Sequence, residues 1–400
     1  MKRGFTLVEL LAVITILSII LLIVVPMLNG VIRDSKENSN KDSINLYGKA
    51  IENAVATYFA KYPDEDYVSY EKLQEEKMIN YRGNKVECDT IYIVERKVYL
   101  ADCKVGGKIV EGSYGTKIEN MLGEATIIDD NNVSFINTGI NSKFISKFTI
   151  ATNGTDIENS NEYESKDCSF NQDKSVMCYW KEDLNNSGYY EMIVAANGEI
   201  YTPYNSKSLF FNFGKDNLEE LNLTGLNTKY TLNMQTMFRA TGVTLMTNLD
   251  LGDSFDTSNV TNMRAMFLGT GANNLGNLDL GDKFDTSNVT NMENMFDNMG
   301  HNSNNMTKLD LGNKFDTSNV TEMQYMFIGT GETALKYLNL GKNFVINDDT
   351  SIDAIFANCG IQNNTMRVIV PTTNLQNKIL GLNETNDRPS FWNNTIVQVQ

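Results

Sequence analysis

An α+β multidomain architecture is predicted by three observations. The first is an apolar run from Leu7 to Val25 that continues as a helical pattern, and the second is a middle stretch of short alternating segments with paired cysteines. The third is a C-terminal repeat whose closing phenylalanines, Phe210, Phe238, Phe267, Phe296, Phe327 and Phe356, lie 28, 29, 29, 31 and 29 residues apart. Four hundred residues are enough for two or three hydrophobic cores.

From Leu7 to Val25 every residue except Glu9, Thr15 and Ser18 is aliphatic, close to the ~20 that a helix needs to cross a bilayer. Lys2 and Arg3 precede the run and no basic residue follows until Arg33, which sets the start in the cytoplasm and the remainder outside. The expected topology is a single pass through a cytoplasmic membrane. A carboxylate within such a run costs roughly 2.5–3.5 kcal/mol at mid-helix and less near the interface. Glu9 therefore requires a partner, or else it snorkels to the headgroups of an ordinary uncleaved anchor.

Ile44, Tyr47, Ile51, Val55, Tyr58 and Phe59 recur at spacings of three and four and extend the helix into a soluble amphipathic half. Continuous over residues 5–62, it would be a rod of about 85 Å, kinked at Pro26. A small head over 63–115 follows, with a short helix from Ser69 to Met78. Cys88 and Cys103 flank two strands with a turn near Glu95-Arg96, and the index sums 88 + 103 and 95 + 96 agree, so the two thiols face each other. Cys168 and Cys178 likewise bracket a turn, and the two pairs are expected as disulfides in an exported protein. Cys359 is left over, as a small buried residue or an intermolecular link.

Residues 116–205 read as a β-rich linking domain, from alternation at Phe144–Ile150, Met177–Trp180 and Tyr189–Val194. The repeat array occupies 206–370 in about six coils, and 371–400 cap it. Within a coil, Leu278 and Leu280 alternate with Asp279 on a short strand, while Val289, Met292, Met295 and Phe296 have the spacing of a short helix. Asp285-Thr286-Ser287 offer oxygens to cap that helix. The mid-strand series Asn222, Asp250, Asp279, Asp310 and Asn339 would stack as an outward polar ladder and is the candidate binding strip.

Catalytic chemistry has no nominee, and no enzymatic activity is expected. One histidine, His301, leaves no room for histidine triads or multi-histidine metal sites. The methionines at Met263, Met266, Met292, Met295, Met323 and Met326 have core spacing. No cofactor is expected; the series Asp250/Asp253/Asp256 and Asp279/Asp282/Asp285 could ligate calcium, although Asn313 replaces the equivalent of Asp282 in the third copy. A net charge of −16 argues against nucleic acid as a bulk partner.

Two resemblances complete the reading. Lys2-Arg3-Gly4-Phe5-Thr6-Leu7-Val8-Glu9 resembles the amino-terminal signal of type IV prepilins and pseudopilins. The resemblance implies a four-residue leader cut between Gly4 and Phe5, N-methylation of Phe5, and assembly through Glu9 against a neighbouring subunit's terminal amine. It also implies a pilin-like head and, as partners, a prepilin peptidase, other pilin-like subunits and the membrane, before display at the bacterial surface or in a pilus. Phe-Asp-Thr-Ser-Asn-Val-Thr-Asn-Met-x-x-Met-Phe, nearly unchanged in the copies closing at Phe267, Phe296 and Phe327, resembles the leucine-rich-repeat-like domain of BspA-type bacterial surface proteins, also found in mycoplasma surface lipoproteins. That implies a right-handed α/β solenoid contacting a surface or host protein. Together they point to a minor or tip pilin displaying an interaction module; the alternatives are a pseudopilin of a secretion or DNA-uptake system and an uncleaved membrane-anchored surface protein.

Overall fold

The computed structural model describes residues 36, 38–63, 68, 70–94, 97–110, 121–123, 126–129, 132–152, 162–169, 172, 174–218, 220–276, 278–362, 364–384 and 386–400. The chain divides into two compact units, Met1–Lys117 and Ile118–Gln400. The expected membrane-spanning segment and the processing residues Gly4, Phe5 and Glu9 lie outside the described residues, as does the Glu95-Arg96 turn. Among the described residues no helix is long and apolar enough to cross a membrane.

In the first unit, helix α1 covers residues 38–61. Its stripe of Ile44, Tyr47, Ile51, Val55, Tyr58 and Phe59 is buried, and the fully buried Ile51 and Val55 contribute roughly 1.5–3 kcal/mol each. The stripe shares a core with Val98, Leu100 and Val105 of an antiparallel sheet formed by β1 (Val86–Val94), β2 (Lys97–Val105) and β3 (Lys108–Ile109). The register pairs Val86 with Val105 and Val94 with Lys97, so Cys88 and Cys103 stand opposite one another and are disulfide-bonded. Helix α2 is shorter than the expected Ser69–Met78, spanning Tyr70–Glu75. Lys77, at φ 55°, ends it in a left-handed turn in which the Met78 N–H donates to Leu73 O at 3.0 Å and the Lys77 N–H to Gln74 O at 3.0 Å.

The second unit opens with a two-stranded pair, β4 (Thr126–Asp129) and β5 (Asn132–Ser134). A four-stranded sheet follows, ordered β6 (Ile145–Ala151), β9 (Tyr190–Ala196), β8 (Val176–Glu182) and β7 (Glu164–Asp167), with β6 parallel to β9 and the other pairs antiparallel. The Cys168–Cys178 disulfide closes the β7–β8 connection, and both cysteines are buried.

Six coils then stack on the sheet over a common core running from Leu122 to Val397. Parallel pairing joins Leu221 to Leu249, Leu278 to Leu309, Leu309 to Leu338, Leu338 to Val368 and Val368 to Val397. Inside, Phe210, Phe238, Phe267, Phe296, Phe327 and Phe356 form a column with ring centroids 5.2–5.6 Å apart and planes within 11° of parallel. Phe255, Phe284, Phe315 and Phe344 form a second column at 6.3–6.4 Å. Phe135, Phe148 and Phe213 close the first column at one end. Trp392 covers Phe356 at the other, where helix α3 (Thr373–Leu380) begins with the Thr372 hydroxyl accepting the Leu375 N–H at 3.2 Å.

The short helix expected in each coil does not form, which corrects the α/β description of the array. Its Met-x-x-Met-Phe segment is a ribbon of tight turns. The N–H groups of Met263, Ala265, Phe267 and Gly269 donate to Asn291, Glu293, Met295 and Asp297 O of the next coil at 2.7–3.0 Å, while those of Met266, Leu268 and Thr270 donate three residues back along their own coil. A helix would keep these amides to itself; the ribbon gives every second one to its neighbour and still turns Met263, Met266 and Phe267 inward. Three residues of each coil's ribbon have positive φ, at two before, two after and four after the closing phenylalanine: Ala265, Gly269 and Gly271 in one coil, Asn294, Asn298 and Gly300 in the next. The last of these is glycine in all six coils (Gly214, Gly242, Gly271, Gly300, Gly331, Gly360). A Cβ there would also meet a core side chain, at 2.5 Å from Leu275 Cβ for Gly271.

Candidate functional site

Alternation along the ladder strands sends leucines into the core and the residue between them outward. Asn222 is paired with Asp250, Asp250 with Asp279, and Asp310 with Asn339, while the Leu278–Leu309 bridge brings Asp279 level with Asp310. The strip is thus assembled in register across five coils. Asp250 and Asp279 are exposed, and Asp310 and Asn339 are half-buried.

Each of these side chains braces the turn that follows it. The Gly252 and Gly281 N–H groups donate to Oδ1 of Asp250 and Asp279 at 2.9 Å, Gly312 N–H to Asp310 Oδ1 at 3.2 Å, and Gly341 N–H to Asn339 Oδ1 at 3.1 Å. Asn339 Nδ2 donates to Asp310 Oδ1 at 2.9 Å, and Lys308 Nζ lies 3.1 Å from Asp310 Oδ2. Between the third and fifth of these strands is an open groove of about 530 Å³ lined by Asp279, Asp282, Lys308, Asp310, Asn313 and Asn339. Aligned carboxylates repel: at ~5 Å in water two unit charges interact by roughly 0.8 kcal/mol. Asp250 and Asp279, directly paired, therefore oppose the stacking that holds them.

Asp256, Asp285 and Asp316 close local turns instead of capping helices. Oδ1 of Asp256 and of Asp285 accepts both the N–H and the hydroxyl of the serine two residues on, Ser258 and Ser287, at 2.6–3.0 Å, and Asp316 accepts the Ser318 N–H at 2.8 Å. Among the described residues no group of three or more His, Cys, Asp or Glu side chains is placed to hold a metal ion. Sequence reading missed the hydroxyl ties between coils: Thr241, Thr270 and Thr330 Oγ1 donate to Phe210, Phe238 and Phe296 O at 2.6–2.7 Å. They stand three residues after the closing phenylalanine, a fixed offset visible in the repeat. Cys359 occupies that position in the last coil; it is free and fully buried, and burial pushes its thiol far above the ordinary range. That environment leaves no accessible sulfur for an intermolecular link.

Comparison with known proteins bears on both ends of the chain. Residues 1–25 match the prokaryotic N-terminal methylation motif. Residues 232–368, four full coils and part of their flanks, match a family described as a Mycoplasma protein of unknown function, DUF285. No curated protein and no solved structure gave a significant match. The methylation motif suggests a type IV pilin-like protein exported to the membrane or cell surface, and the DUF285 region suggests a BspA-like surface domain.

Proposed function

We propose that the chain is a minor, display-type pilin-like subunit that carries its coil array to the cell surface for adhesion or protein–protein contact. Cleavage between Gly4 and Phe5 and methylation of Phe5 prepare the N-terminus, and Glu9 docks against the terminal amine of a neighbouring subunit. Cleavage and export use other proteins, so no catalysis is assigned to this chain. The contact surface is the strip from Asn222 to Asn339 with its groove. The observation that supports this reading most is the union in one chain of a match to the methylation motif with a capped coil array that keeps aspartates aligned against their own repulsion. Such a penalty is kept where it serves recognition.

Mass spectrometry of the mature N-terminus tests the first half: N-methylated Phe5 is expected, and a chain recovered only in membranes with Met1 intact refutes it. For the second half, cells whose chain lacks residues 206–370 should process the protein normally yet lose attachment. Unchanged attachment overturns the assignment of contact to the coils.

A further inference from the structure

A second recessed site lies apart from the aspartate strip. An open cleft of about 840 Å³ runs along β6 and is closed on its other side by Asn217, Thr224 and Gly225 from the first turns of the array. Its volume falls in the range of small-molecule sites. The β8–β9 loop forms one rim and is ordered around a buried carboxylate. Asp183 accepts the Ser146 hydroxyl at 2.7 Å, Asn186 Nδ2 at 3.0 Å and the Asn185 N–H at 2.9 Å, with Lys147 Nζ 3.7 Å away. The backbone of Asn185 and the side chain of Asn186 are therefore held in place before any ligand arrives.

The charges within the cleft are already occupied. Lys147 is paired with Glu191 as well as Asp183, and the Asp183 carboxylate is taken by its three donors. An anion would have to displace Glu191, and a cation would have to strip Asp183 of the hydrogen bonds that order the loop. What remains among the lining residues are the polar side chains Asn185, Asn217, Thr149 and Thr152, with apolar surface from Ile150, since Phe148 is buried against Phe210 and Phe213. That mixture suits a molecule with hydroxyl groups around its edge and C–H groups on its faces. We propose that the cleft between β6, the β8–β9 loop and the first coils binds a short neutral oligosaccharide, with Asn185, Asn217 and Thr149 hydrogen-bonding its hydroxyls.

The test is calorimetric titration of the full chain in detergent with cellotriose, maltotriose and triacetylchitotriose, and with sialyllactose as the charged probe. At least one neutral trisaccharide binds with a Kd of about 1 mM or tighter. Asn217→Leu and Thr149→Val each weaken it about tenfold, a hydrogen bond's worth, whereas Asp279→Asn in the strip leaves it unchanged. Thermal melts verify the fold, and should Asn217→Leu unfold, Thr149→Val on the exposed face decides the matter. Absence of binding by every neutral sugar at ~10 mM, binding of sialyllactose alone, or unaltered affinity in the variants overturns the proposal. None of these outcomes bears on attachment through the strip, so the two assignments fail separately.

Discussion

Replacing Gly271 and Gly269 by alanine, one at a time, separates two reasons for glycine in the turn ribbon. Both have positive φ, +53° and +66°. At Gly269 an added Cβ meets nothing within 4 Å, so Gly269→Ala carries only the left-handed penalty of an L-residue, about 1–2 kcal/mol. At Gly271 the same Cβ would sit 2.5 Å from Leu275 Cβ and 3.1 Å from its Cγ, inside a core where Leu275 is fully buried. Neither the backbone nor a core leucine's Cβ yields without moving the coil, and overpacking of this kind adds about 1–3 kcal/mol. Gly271→Ala should therefore cost about 2–5 kcal/mol in all, and exceed Gly269→Ala by a difference readable as at least ~2 °C in melting temperature. Scanning calorimetry of the full chain in detergent measures both variants. Equal destabilisation would sink the claim that close approach to the core, beyond backbone conformation, fixes glycine four residues after the closing phenylalanine.

Three further outcomes follow from the same geometry. Asp279→Asn retains an Oδ1 for the Gly281 N–H while removing repulsion from Asp250, so it should stabilise the array by about 0.5–1 kcal/mol at low salt, a gain that shrinks in 1 M NaCl. Denaturant titration at two ionic strengths measures it, and a salt-independent loss contradicts the repulsion account. Hydrogen bonds from Asn186 and Ser146, then from the Asn185 backbone, outweigh burial and hold Asp183 at about 2, below the ordinary 3.8. A depressed carboxyl contributes stability above its unfolded value and loses it as pH falls; the β8–β9 loop should loosen as pH drops from about 4 towards 2, seen as a lower amide protection factor at Asn185, and Asp183→Asn should flatten that dependence. Phe296→Ala removes one ring from a column in which it contacts Phe267 and Phe327 at 5.6 and 5.4 Å, at a cost of about 3–5 kcal/mol by urea unfolding.

Legibility in the sequence tracks how directly a pattern maps onto one backbone geometry. Strict alternation at Leu278-Asp279-Leu280 has a single reading, so the ladder register of Asp250, Asp279, Asp310 and Asn339 could be written from the repeat alone. Spacing at three and four does not have a single reading: Val289, Met292, Met295 and Phe296 face one side of a helix, and equally of a ribbon of tight turns. The discriminating signal was present but local. Gly300 and its five counterparts recur four residues past the phenylalanine, with Asn298, Gly269 or Gly329 two residues earlier, and so many positions tolerant of positive φ at fixed offsets do not belong to a helix and its cap. The cleft beside Asp183 could not be read at all. It needs β6, the β8–β9 loop and Asn217 to meet, and no periodic pattern links those segments.

The unequal spacing of the coils shows where the array permits change. From ladder leucine to closing phenylalanine the distance is 18 residues in the coils Leu249–Phe267, Leu278–Phe296, Leu309–Phe327 and Leu338–Phe356. Length varies instead after the glycine: six residues lie between Gly271 and Leu278, and eight between Gly300 and Leu309. In the longer segment Met306 takes the buried place held by Leu275 and Leu335, and a Cβ on Gly300 would lie 2.3 Å from its sulfur. Met246 fills the same buried place in a coil whose segment is not lengthened, and the two added residues lie within His301 to Asn305. Those residues bond sideways to neighbours, Asn302 Nδ2 to Asn273 Oδ1 at 3.3 Å and Asn305 Nδ2 to Asn274 Oδ1 at 3.0 Å, but they belong to neither the ladder nor the phenylalanine column. An insertion between strand and phenylalanine would instead shift every inter-coil hydrogen bond of the ribbon out of register. Changes that spare the inter-coil register therefore fit at the outward ladder positions and in the segment between glycine and the next strand.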